Sequence, residues 1–190
     1  MDVSEVFRLG VREPVQLDLV DARATPVGPQ RKKDASKGLR RTGKELDTLQ
    51  EALWAEGRSK TVDPERRVLI VLQGMDTSGK GGVVHHVGGL MNPQGVRVAG
   101  FGVPTASERR HDFLWRIRRK VPDAGMIGFF DRSHYEDVLV TRVENVISEK
   151  VARERIEQIK EFEIELAHSG VTLLKCFLHI SAKEQRKRLL

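Results

Sequence analysis

The stretch VLIVLQGMDTSGKGG, residues 68–82, decides the fold. Val68 to Gln73 are almost all apolar and β-prone, which predicts a buried strand. The next seven residues, Gly74-Met75-Asp76-Thr77-Ser78-Gly79-Lys80, fit the G-x-x-x-x-G-K frame of a loop that wraps backbone N–H groups around phosphate oxygens. Gly74, Thr77, Ser78, Gly79, Lys80 and Gly81 are then the candidate phosphate-binding residues, with Lys80 reaching the transferring phosphate. A helix rising from Gly81 would add its N-terminal dipole. The frame gains meaning from its place between a strand and a helix; an ordinary Gly-rich turn is the alternative. One position departs from the usual loop. Gly81 stands where a Ser or Thr would hold magnesium, so either the match is chance or the metal is held by other groups.

Outward from this loop, strand and helix patterns alternate. Leu39, Leu46, Leu49 and Leu53, with Trp54 beside them, predict an amphipathic helix over 39–56, ended by Gly57 and followed by a turn at Asp63-Pro64. After the loop the pattern predicts a helix over 81–91 and a strand over 96–101. A helix over 107–120 follows, capped by Ser107. A short strand is predicted over 126–130 and a helix over 135–143. A longer helix over 151–167 takes its apolar face from Ile156, Ile159, Phe162, Ile164 and Leu166, and a strand over 171–180 comes next. Such alternation predicts an α/β fold with a parallel sheet covered on both faces. Ligands would bind where the first and third strands end. Residues 1–38, interrupted by Pro14, Pro26, Gly28, Pro29 and Gly38, read as an irregular N-terminal arm. Residues 39–190 read as one domain built around the phosphate loop. Ser181 caps a last helix that no Gly, Pro or polar tail closes, so the domain is expected to be incomplete at its C-terminus.

A second constellation lies at GMIGFFDRSHY, residues 125–135. An apolar strand ending in an acid is how a metal-binding carboxylate is presented beside a phosphate loop. Asp131 would face Asp76 across the loop. The two carboxylates would hold Mg2+ through oxygen ligands and ordered water, replacing the missing hydroxyl at Gly81. Arg132 would be a cation beside the phosphates. The bland alternative makes Asp131 a helix N-cap and Arg132 a solvated side chain.

Composition bounds the rest. Hydrophobic residues make up 39% of the 190 positions and charged residues 32%, the balance of a globular protein with a core and a well-solvated surface. No apolar run approaches the ~20 residues of a membrane span, and the start MDVSEVFRLG lacks the form of a signal peptide. A cytoplasmic protein with no membrane partner fits. The single Cys176 sits in an apolar run and is expected in the core. The net charge of +6 favours polyanionic partners, while 5% aromatics argue against stacking on nucleic acid. Arg109, Arg110, Arg116, Arg118, Arg119 and Lys120 crowd one predicted helix. Most read as a solvated face, and Arg109 and Arg110 are the candidates for polyanion contact. His85 and His86 have no Cys or His partners at zinc-ligand spacing. His111 and His134 could carry protons, with structural roles the stronger reading. G-x-S-x-G, G-x-G-x-x-G and a Cys/His pair for covalent catalysis are absent from the sequence.

Four segments in order, GMDTSGKGG, NPQGVRVAGF, HDFLWRIRRKVP and GMIGFFDRSHYEDVLVTRV, resemble the polyphosphate kinase 2 family, from about Leu39 to the last residue. The resemblance implies a thymidylate-kinase-like, three-layer P-loop fold. It implies phosphoryl transfer between inorganic polyphosphate and nucleoside mono- or diphosphates, such as ADP or GDP to ATP or GTP, with Mg2+. The family's loop has the form G-x-D-x-x-G-K, so the departure at Gly81 is the family's own. On these positions Asp76 would bind metal or activate the acceptor, Lys80 would bind phosphate, Asp131 would bind metal and Arg132 would steady the transferring group. Family members are oligomeric, so a homo-oligomer is implied. They also close the site with an arginine-bearing lid and a last strand, which would lie beyond Leu190. Two other readings stay open at this level: another P-loop kinase that uses ATP on a small metabolite, and a polyanion-binding fragment without activity.

Overall fold

The computed structural model describes residues 3–10, 14–59 and 65–190; the turn read at Asp63-Pro64 lies outside them. A short helix α1 (Val3–Phe7) and a 3-10 turn (Leu17–Leu19) precede the long helix α2 (Lys32–Ser59). The strand β1 (Arg67–Gln73) leads through the loop into α3 (Lys80–Val83), which continues as a π-turn over Val84–Gly88. Next come β2 (Val96–Gly100), α4 (Trp115–Arg118) and β3 (Ile127–Asp131). The helices α5 (Glu136–Val143) and α6 (Glu149–His168), the strand β4 (Val171–Phe177) and the helix α7 (Ala182–Leu189) complete the order.

The described strands form one sheet in the order β2-β3-β1-β4, parallel at every pairing. Alternation along β1 and β3 divides the core into two. Leu69, Val71 and Phe130 pack on one face with Leu114 and Ile117 around α4, Val138 of α5, and Ile159 and Phe162 of α6. Leu72, Ile127 and Phe129 pack on the other with Leu46 and Leu53 of α2 and Val83, Val84 and Val87 after the loop. These are the three layers expected from the α/β pattern. Among the described residues no helix is long and apolar enough to cross a membrane.

Several local expectations are corrected. The helix α2 starts at Lys32, inside the stretch read as an irregular arm. Arg31 O accepts from the amides of Asp34 and Ala35, and the Arg31–Asp34 ion pair (2.7 Å) sits over that first turn. Gly57 does not end α2. A Cβ there would lie 2.5 Å from the Gly125 backbone, so glycine lets the helix touch the turn before β3. Leu39 and Leu49 of α2 and Ile164 of α6 are exposed. Gln50 takes the buried place on α2, accepting a hydrogen bond from Asn92 N at 3.1 Å. The helix read over 81–91 is α-helical only to Val83 and then widens, because a run of valines and glycines supports a regular helix poorly.

Ser107 makes no cap. Thr105 does, its N–H donating to Glu108 Oε2 (2.7 Å) while its Oγ1 accepts from Glu108 N (3.3 Å). The helix read over 107–120 breaks where Asp112 Oδ1 accepts from Leu114 N, a side chain competing with the helical ladder. Cys176 is half-buried against the α2-side core, and burial raises its thiol. The cap at Ser181 is as read, its Oγ accepting from Glu184 N at 3.2 Å.

Candidate active site

β1 and β3 lie side by side with Leu72 opposite Asp131, so both strands end at one point of the sheet. The loop between β1 and α3 turns sharply there. Gly74 has φ 153°, and a Cβ on it would meet Leu178 O at 2.6 Å, so only glycine fits. Thr77 adopts a left-handed backbone, φ 65°. The carbonyls of the loop turn outward and find donors. Lys80 Nζ donates to Gly74 O (2.8 Å) and Met75 O (3.1 Å), and Ser78 N also donates to Met75 O. Gln185 Nε2 donates to Asp76 O (3.1 Å) and Arg188 Nη1 to Thr77 O (2.8 Å), both from α7. Lys80 is 8% exposed, its charge held over the loop's own oxygens.

An open cleft of about 530 Å3 lies over the loop, lined by residues 76–81, by Gly100 at the end of β2, Phe101 and Gly102 after it, and by Asp131 and Arg132. Of the candidate residues expected in the phosphate loop and at the end of β3, all line this cleft except Gly74, which shapes the turn beneath it. Arg132 also has a left-handed backbone (φ 66°), with its amide bonded to Leu72 O. Its Nη2 donates to Asp76 Oδ1 at 2.9 Å, across the mouth of the loop. Asp131 points toward the start of α3: a Cβ built on Gly81 would sit 4.0 Å from Asp131 Oδ2. The position where another loop carries a hydroxyl is therefore open space beside a carboxylate.

This donor set fits Mg2+. That ion keeps several waters and takes one or two carboxylates together with substrate phosphates. Asp76 and Asp131 supply two carboxylates in one cleft, and among the described residues no group of three or more His, Cys, Asp or Glu is placed to cage a metal.

Other residues escaped the sequence reading. Gln185 and Arg188 stand three apart on α7 and reach a loop more than a hundred residues earlier. Arg116, read as solvated, is 7% exposed; its Nη2 donates to Asp137 Oδ2 (2.9 Å) and its Nη1 to Gly102 O (2.7 Å), tying α4 to the cleft wall. Arg109 lines a smaller neighbouring cleft of about 150 Å3 and not the loop cleft, and Arg110 lines neither. His111 stacks on Trp115, with ring centroids 4.1 Å apart.

His134 is fully buried, its Nε2 3.3 Å from Glu163 Oε1. Tyr135 Oη donates to the same oxygen (2.8 Å), and Lys175 Nζ to Glu163 Oε2 (2.7 Å). Burial alone would raise the Glu163 carboxyl. The hydrogen bonds from His134, Lys175 and Tyr135 outweigh it and lower the group to about 2.

Comparison with known proteins gives this arrangement a lineage. A family model described as polyphosphate kinase 2 matches residues 31–190. An AMP/ADP-polyphosphate phosphotransferase of Meiothermus ruber is 49% identical over 158 residues, covering 83% of this chain and 57% of that protein. An ADP-polyphosphate phosphotransferase of Rhodopseudomonas palustris is 38% identical over 196 residues, covering 97% of this chain and 65% of that protein. The crystal structure of polyphosphate kinase 2 from Arthrobacter aurescens superposes with a TM-score of 0.91 at 45% identity, over 98% of this chain and 64% of that one. The chain thus spans about two thirds or less of the length of each of these relatives. Because that family model matches residues 31–190, well over half of the chain, the chain belongs to the polyphosphate kinase 2 family.

Proposed function

We propose that this chain carries the phosphoryl-transfer centre of an enzyme that moves phosphate between inorganic polyphosphate and a nucleoside mono- or diphosphate, such as ADP or GDP. The observation that carries the reading is the pairing of two features in one cleft. Asp131 sits beside the bare Gly81 position, and Asp76 is bridged to Arg132 over the loop. Phosphoryl transfer asks for in-line positioning and cancellation of charge on the transferring group, with little covalent work by the protein.

The loop amides and Lys80 hold the phosphate chain. For this, Lys80 Nζ exchanges Gly74 O and Met75 O for phosphate oxygens, a short move for a side chain already at the loop. Arg132 shares its guanidinium between Asp76 and the transferring group. Asp76 and Asp131 would hold Mg2+, which when bound would offset negative charge on the phosphates. A chain with net charge +6 suits a long polyanion as donor, and its binding weakens as salt rises. The names of the two relatives, which specify AMP/ADP and ADP, support adenine nucleotides as acceptors. In the cell the protein acts in the cytoplasm, as a homo-oligomer.

The test is ATP formation from ADP or AMP with polyphosphate as sole donor, read by luminescence, for this chain and for Lys80→Ala. ATP made by the native chain and lost in the variant supports the reading. Transfer from ATP to a small metabolite, with no use of polyphosphate, overturns it in favour of another P-loop kinase. Calorimetric binding of polyphosphate without turnover would leave a binding module.

A further inference from the structure

We infer that α7 is a strut for the phosphate loop, with Gln185 and Arg188 as the positioning residues that fix the loop's shape before substrate arrives. The inference rests on the reading of residues 74–81 as a phosphate loop and goes beyond it.

A loop that turns its N–H groups toward a ligand must turn carbonyls the other way, and those carbonyls need partners. Here the four carbonyls from Gly74 to Thr77 divide into two pairs. Gly74 O and Met75 O are held by Lys80 Nζ. Asp76 O and Thr77 O are held by Gln185 Nε2 and Arg188 Nη1. The first pair is temporary, because Lys80 is the group that must swing to the phosphate. The second pair is independent of substrate. It acts on Thr77, whose backbone is left-handed at φ 65°, and on Asp76 just before it. A β-branched residue disfavours that conformation, so an outside contact is what keeps it populated.

The helix is itself built to deliver the two donors. Ser181 caps it through Glu184 N, and Glu184 Oε1 accepts from Arg188 Nε at 2.8 Å, aiming the guanidinium so that Nη1 is free for Thr77 O. Glu184 is correspondingly held below the usual carboxylate range, the Arg188 hydrogen bond leading. One helix therefore carries cap, aiming acid and donor within about two turns. The guanidinium also brings positive charge to the back of the loop without occupying the cleft.

The experiment measures backbone hydrogen exchange of the protein with no phosphate present, in the native chain, Gln185→Ala, Arg188→Ala and the double variant. The reporter is Ser78 N–H, which bonds to Met75 O inside the loop. In the double variant, loop exchange quickens by about thirtyfold or more, the scale of losing one charged and one neutral hydrogen bond. The α6 amides keep their native rates, and Arg188→Lys restores part of the protection. Lys187→Ala, on the same helix without a loop contact, changes nothing. Tripolyphosphate binding by calorimetry then weakens in the double variant. Unchanged loop exchange overturns the strut, as does a rise in loop and α6 together, which marks general loosening. Since the exchange arm contains no phosphate, it decides the strut even for a chain that transfers none.

Discussion

Arg132 Nη2 donates to Asp76 Oδ1 at 2.9 Å, joining the end of β3 to the middle of the phosphate loop across fifty-six residues of sequence. Both side chains are open to solvent, Asp76 at 70% and Arg132 at 41%. An ion pair of that kind contributes about 1 kcal/mol or less to stability. Its place at the mouth of the cleft is therefore better explained by what it presents to a ligand than by what it adds to the fold. Asp76→Asn and Arg132→Ala should each leave the melting temperature within a few degrees of native. Turnover should fall by about 10²–10³-fold, the usual scale for removing one group that stabilises developing charge. Parallel thermal melts and luminescent ATP assays check this. A variant that melts early and loses activity in proportion would assign the pair a structural role.

Gly81 offers a test of the loop's design. The residue lies in α3, and a Cβ there meets only Asp131 Oδ2, at 4.0 Å. Gly81→Ser should fold at native stability or slightly above, since serine is the better helix residue by roughly 0.5 kcal/mol. Its activity with Mg2+ should stay within a few fold of native. Asp131→Asn, which removes the neighbouring charge, should lower activity by about 10²-fold or more. The metal concentration giving half-maximal rate should rise for Asp131→Asn and not for Gly81→Ser.

The two halves of this site were unequally legible. The loop and Asp131 stand out in sequence because each is a local pattern, an apolar strand running into a chemically specific turn. Gln185 and Arg188 do not, since their meaning depends on α7 being laid over a loop more than a hundred residues away. Arg116 was hidden among charged neighbours, and only the distant Asp137 makes it a buried residue. The sheet was readable from hydrophobic runs. Residues 107–120 carry one helical period but not one helix, because Asp112 and Thr105 redirect the backbone through side-chain hydrogen bonds that periodicity does not register.

The Arg116–Asp137 pair predicts a large stability effect away from the chemistry. Each side chain is only 7% exposed, and Arg116 also holds Gly102 O at the edge of the cleft. Removing one partner leaves a buried charge alone, at a cost of about 3–5 kcal/mol. Asp137→Asn and Arg116→Met should each lower the urea midpoint strongly. The double variant should recover part of the loss, because it removes the orphaned charge along with its partner.

Acid sensitivity should trace to Glu163. Burial raises its carboxyl, but hydrogen bonds from His134, Lys175 and Tyr135 outweigh this and lower it to about 2 in the folded chain. An unfolded glutamate titrates near 4.3. The folded state therefore binds the proton less readily. The stability this confers is fully present above the unfolded value and drains away as pH falls toward about 2. Urea midpoints followed from pH 6 to pH 3 should decline, and Glu163→Gln should flatten that decline while lowering the midpoint at pH 6. An unchanged slope in the variant would assign the acid sensitivity to other carboxylates.

Gly57 separates helix propensity from packing by the sign of one measurement. The residue lies near the end of α2, inside the helix. Propensity alone predicts that Gly57→Ala stabilises, by about 1 kcal/mol in a helix interior and less near an end. Packing predicts the opposite. A Cβ at this position falls 2.5 Å from both N and Cα of Gly125 and 2.6 Å from the Ala124 carbonyl carbon, all backbone atoms that cannot rotate away. Gly125 is itself left-handed, at φ 77°, and its amide bonds to Arg66 O at the entry to β1. Relief must come from moving α2 off the turn, which also withdraws Leu53 from the core beside Ile127 and Phe129. Overpacking of this kind costs about 1–3 kcal/mol, so Gly57→Ala should lower the urea midpoint. The added methyl thus reports directly on whether α2 is clamped to the β1–β3 entry or merely lies beside it.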